Sequence, residues 1–130
     1  MEKIRVLFIH EKRVRKNFPV IVDVIENEVP DTYEIEDVDI KKNVIGKIEK
    51  FQPQIVIIMQ SSKAVDVYGL ILRIKEQFPQ KIIFASLLDN IGEQQKKMQE
   101  LKDAGVYKCY SSMILIDTLI HDMFVAMNME

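Results

Sequence analysis

Five short apolar runs, most of them rich in β-branched residues, alternate along this chain with stretches of helical periodicity. That alternation limits the fold more than any other feature. The runs KIRVLFI at 3–9, QIVIIMQ at 54–60 and KIIFASL at 81–87 are nearly continuous, as in central strands covered on both faces. YEIEDVDI at 33–40 alternates more cleanly and suits a strand nearer an edge, and YKCYS at 107–111 is a short last run.

Helical patterns fill the gaps. Phe18, Ile21, Val22 and Ile25 recur at helical spacing within Asn17 to Glu28. Asn43 is placed to cap a helix over Val44 to Phe51, and Asp66 to cap one over Val67 to Phe78, with Pro79 ending it. A polar helix opens at Asn90 or Gly92 and stops at Gly105, a residue suited to the position after a helix. The last helix runs from about Leu115 to Met127. Strand and helix in strict turn predict an α/β domain: a five-stranded parallel sheet with helices on both faces. Right-handed crossovers make the flavodoxin-like strand order 2-1-3-4-5 the expected one, in one domain spanning 1–130.

Composition sets outer bounds. Apolar residues make up 48% and charged residues 29%, as in ordinary globular chains. A net charge of −2 gives no strong non-specific pull toward nucleic acid or anionic membrane. No apolar run approaches the roughly 20 residues of a membrane span, and the start lacks a signal-peptide core. The expected location is the cytoplasm. Cys109 is the one cysteine, so no internal disulfide is possible, and its place in a strand makes it a small buried hydrophobe.

In open parallel sheets, function gathers beyond the carboxyl ends of the strands. Those ends carry His10 and Glu11, then Met59 to Ser62, then Ser86, then Ser111 and Ser112. These positions, with PQIVIIM at 53–59 and Ala104-Gly105 before the last strand, give the chain a resemblance to the receiver domains of response regulators. It covers nearly the whole chain. In that family the third strand ends on a phospho-accepting aspartate. Matched from Pro53, that position is Met59; matched from the helix glycine Gly69, it is Ser61. The resemblance puts the family's acidic pair on His10 and Glu11, its Ser/Thr on Ser86 and its lysine on Ser112.

The resemblance therefore implies the fold but not the reaction. Phosphoryl transfer to a receiver needs a carboxylate nucleophile, acids around Mg²⁺ and a cation beside the phosphate. Met59 is a thioether, a poor ligand for a hard cation, and reads most simply as a gap-filler in an unused pocket. His10 reads as a hydrogen-bonded strand-end histidine before it reads as a base. The serines read as loop hydroxyls, because no His–acid pair is placed to activate one. An enzyme built on Ser111 or Ser112 is a weak third reading. No phosphate-binding glycine loop and no metal-ligand spacing is present.

Two features stand above this background. Lys12, Arg13, Arg15 and Lys16 follow the first strand and form a candidate anion site, or else a solvated charge run. The last helix carries more apolar arc than one sheet face needs. The surplus at Met113, Ile120 and Phe124 is a candidate face for a protein partner or a homodimer. The expected function is a non-phosphorylatable, receiver-like signalling module. It is not an enzyme, has no cofactor or metal, and acts through protein contacts. The alternative is a flavodoxin-like domain binding a small molecule, nucleotide or anion.

Overall fold

The computed structural model describes residues 3–11, 18–60, 66–87, 91–110 and 116–128; within these, the side chains of 91–95 are not described. Its elements alternate throughout: β1 (Ile4–His10), α1 (Phe18–Glu28), β2 (Tyr33–Asp39), α2 (Val44–Phe51), β3 (Ile55–Met59), α3 (Val67–Gln77), β4 (Ile82–Ser86), α4 (Ile91–Asp103), β5 (Lys108–Tyr110) and α5 (Ile116–Asn128). The five strands pair in parallel in the order β2-β1-β3-β4-β5, the order expected from the sequence.

Side-chain alternation divides the core in two. Val6, Phe8, Ile55, Ile57 and Phe84 face α1 and α5, where Ile25, Leu119, Met123 and Ala126 cover them. Leu7, Ile9, Val56, Ile58, Ile83 and Ala85 face α2, α3 and α4, and meet Ile48, Leu70, Ile71, Ile74 and Leu101. Burial on both faces accounts for the continuous apolar runs of β1, β3 and β4. β2 is an edge strand, as its pattern predicts, but its alternation changes phase. Tyr33 and Ile35 face the α1–α5 side, whereas Val38 joins Ile40 on the other.

Local signals set the helix ends. The Asn43 side chain accepts the Gly46 N–H at 3.0 Å, and Asp66 accepts the Gly69 N–H at 2.9 Å, each relieving an orphan donor of a first turn. Gly105 has φ +106°, a conformation that side chains resist. There the Val106 N–H reaches back to the Leu101 carbonyl at 3.0 Å to close α4. α3 ends at Gln77, one residue before the predicted limit, with Phe78 as its cap. Asn17 and Asn90, candidate helix starts, lie outside the described residues. Among the described residues no helix is long and apolar enough to cross a membrane.

Candidate functional site

At their carboxyl ends the strands line up a row of side chains. Ile9 is level with Ile58, Met59 with Ser86, and Ser86 with Tyr110. His10 follows Ile9, so it stands beside Met59. The row reads His10, Met59, Ser86, Tyr110 across β1, β3, β4 and β5. By alternation all four belong to the α1–α5 side of the sheet, and Met59 and Tyr110 pack against that core. The sheet thus brings together three of the sequence-predicted positions, His10, Met59 and Ser86, and puts Met59 rather than a carboxylate beside Ser86.

His10 is held from two sides. Its Nε2 lies 2.8 Å from Asp37 Oδ2 and its Nδ1 lies 3.1 Å from the Glu11 carbonyl oxygen. The ring is buried and lies 6.0 Å from the Phe18 ring. Both ring nitrogens therefore face oxygen acceptors, and neither points into a space where a substrate could meet it, as a general base must. The geometry matches a strand-end histidine that joins β1 to β2.

Asp37 was not among the residues singled out by the sequence. It sits level with Phe8 and reaches His10 on the diagonal, a contact set by register. One signal pointed to it: after Tyr33 and Ile35, Asp37 is the first charged residue on an otherwise apolar strand face. At the far end of the row the Tyr110 hydroxyl donates to Asp122 Oδ2 at 2.5 Å, and Lys108 Nζ stands 4.0 Å from the same oxygen. Burial, then the bond to Asp122 and its charge, push the Tyr110 phenol above the usual tyrosine range.

The described donors at the strand ends do not by themselves make a divalent-cation site. Mg²⁺ wants several hard oxygens. Glu11 and Ser86 are buried there, but the Asp37 carboxylate is engaged with the imidazole and Met59 offers sulfur. Among the described residues no three of His, Cys, Asp and Glu gather into a metal-holding group. Cys109 is buried, and burial raises its thiol above the usual range, in keeping with a packing role.

Several predicted positions lie outside the described residues: Lys12, Arg13, Arg15 and Lys16 of the basic segment, Ser61, Ser62, Ser111 and Ser112 of the loops, and Met113 of the partner face. The rest of that face needs one correction. Phe124 is 61% exposed, but Ile120 is only partly exposed and packs against the α1–α5 core. The surplus apolar arc is therefore narrower than the helical wheel implied, because α1 lies against α5 and covers part of it.

A groove of about 830 Å³ opens at the opposite end of the sheet, among Gln52, Gln54, Phe78, Lys81, Ile82 and Met127. Lys81 is held below the usual lysine range there by burial and by the nearby Arg5 guanidinium. The groove lies away from the strand ends that carry function in such sheets, and no acid–base pair lines it.

No family model matches the chain, and no curated protein matches it by sequence. Solved structures match it closely in shape. The signal receiver domain of a DNA-binding response regulator from Colwellia psychrerythraea 34H superposes with a TM-score of 0.75 at 15% identity, over 96% of this chain and 98% of that one. A CheY-like response regulator receiver domain protein from Methanospirillum hungatei JF-1 gives 0.76 at 12% identity, over 98% and 95%. An orphan response regulator of H. pylori gives 0.68 at 14% identity, over 94% of each. With strand order and layer arrangement in agreement, the chain has the flavodoxin-like fold of response-regulator receiver domains.

Proposed function

We propose that this protein is a receiver-fold signalling module that works in the cytoplasm without being phosphorylated, and that it acts through contacts with another protein. One observation carries the reading: the position beside Ser86 at the carboxyl end of β3 is Met59. A thioether cannot attack a phosphoryl donor to give an acyl phosphate, and it recruits no Mg²⁺. The neighbouring His10 supports the reading, since its ring nitrogens are committed to Asp37 and to the backbone. Among the described residues the strand ends then offer no nucleophile beside a base for another group transfer, which supports reading the module as a binding protein rather than an enzyme. Its modest net charge favours a protein over nucleic acid as the partner.

The test is incubation with acetyl phosphate and Mg²⁺, followed by intact-mass spectrometry. The expected result is an unchanged mass. A phosphoryl adduct on any residue refutes the proposal.

A further inference from the structure

The two most exposed large apolar side chains among the described residues are Val20 and Phe124, each 61% exposed, against 41–44% for Tyr68, Leu72 and Tyr107. They lie on α1 and α5, the helices that pack together over one face of the sheet. Charge on these two helices is one-sided. α1 carries Asp23, Glu26 and Glu28, α5 carries Asp117 and Asp122, and neither helix contains a lysine or arginine. Asp23, Glu26, Glu28 and Asp117 are exposed, and among the described residues none of the four pairs with a base; only Asp122 does, with Lys108. The other titratable group on these helices is the exposed His121. With a net charge of only −2 for the whole chain, this layer concentrates acid rather than sharing a general surplus.

That pattern selects an occupant. A second copy docking the same layer in two-fold fashion would bring exposed carboxylates of both subunits together, Asp23 and Glu26 on one side of α1 among them, with no lysine or arginine on either pair of helices to balance them. Like charges facing each other across an interface oppose association. An amphipathic helix with a basic rim meets both features at once, since its apolar stripe covers exposed side chains while its cations face the carboxylates.

We propose that the α1–α5 layer docks a basic amphipathic helix of a partner protein, with apolar side chains seated on Val20 and Phe124 and Lys or Arg opposite Asp23, Glu26 and Asp117. The proposal rests on the protein-contact reading above and names the chemistry of the partner.

The probe is a synthetic 18-residue amphipathic helix of about equal leucine and lysine, titrated into the ¹⁵N-labelled protein; a glutamate-for-lysine peptide is the control. Saturable amide shifts confined to α1 and α5 are expected with the lysine peptide, and none with the control. Phe124→Ser should weaken binding about tenfold, as for an interface anchor. Asp23→Asn with Glu26→Gln, which keeps shape and removes charge, should weaken it about three- to tenfold, and added salt should do the same to wild type. Shifts spread over the surface or centred on the strand ends overturn the proposal, as does equal binding of the control. A dimer in sedimentation that Phe124→Ser dissolves overturns it in favour of a second copy. None of these outcomes bears on phosphorylation, which the mass measurement decides separately.

Discussion

The Tyr110 hydroxyl donates to the Asp122 carboxylate at 2.5 Å, which ties the edge strand β5 to the last helix. Ionising that phenol would set a negative oxygen against a carboxylate in a partly buried place, so the fold holds the proton. A group whose pKa is raised on folding stabilises the native state below its unfolded pKa, near 10 for tyrosine, and loses that contribution as pH rises beyond it. Wild-type stability should therefore decline with rising pH, first from about pH 8.5, where the buried Cys109 thiol begins to contribute, and more steeply from about pH 10 upward. In Tyr110→Phe the decline should be shallower but not abolished, because burial also raises Tyr33 and Cys109. Urea denaturation between neutral pH and pH 11 checks both. Identical profiles for wild type and variant would show that the phenol is not the titrating group.

His10 and Asp37 make the corresponding tie at the opposite edge of the sheet, between β1 and β2. Removing Asp37 leaves an imidazole nitrogen buried without its acceptor, which costs about 1–3 kcal/mol for a buried polar group. Asp37→Ala should lower the unfolding free energy in equilibrium denaturation by that amount. Asp37→Asn, which keeps an oxygen acceptor in place, should recover part of it. A loss under about 0.5 kcal/mol in Asp37→Ala would mean that water replaces the carboxylate.

Much of this architecture was legible in the sequence, and the exceptions share a cause. Asn43, Asp66 and Gly105 act through neighbours within one helical turn, so their residue types announce their roles. The covered strands announce themselves by continuous apolar runs. Asp37 does not, because its partner is fixed by how β1 and β2 align, and a shift of one residue would turn it to the other face. The same holds for the row of His10, Met59, Ser86 and Tyr110. Sequence placed each residue near a strand end, but the register between strands decides that Met59 is level with Ser86. A wheel drawn for one helix cannot show how far Ile120 packs onto the core shared by α1, α5 and the sheet, where it is only partly exposed.

If the missing carboxylates are what silences the strand ends, restoring them should restore cation binding. Calorimetric titration of wild type with Mg²⁺ should give no saturable heat. The double variant His10→Asp with Met59→Asp adds two acids near Glu11 and should bind Mg²⁺ measurably. It should be less stable than wild type without the cation, since carboxylates would then crowd one another. With a Kd near about 1 mM, 10 mM Mg²⁺ would return about 1.4 kcal/mol. Saturable binding by wild type that Glu11→Gln removes would show that Glu11 already anchors a site.

Adjacent residues on the last helix provide the sharpest check on which face is core. Met123 is fully buried against β1, β3 and β4, whereas Phe124 stands 61% exposed on the next position of the turn. Met123→Ala removes packed volume from a filled interior and should cost about 2–5 kcal/mol. Phe124→Ala deletes a larger side chain, yet most of its surface already meets water, so the cost should stay within about 0.5 kcal/mol. Ile120, partly exposed but packed on the core, should fall between them at about 1–2 kcal/mol, less than a fully buried isoleucine. Equilibrium denaturation of the three single variants orders them directly. A loss for Phe124→Ala comparable to that of Met123→Ala would place Phe124 in the core and remove the exposed anchor from the α1–α5 layer.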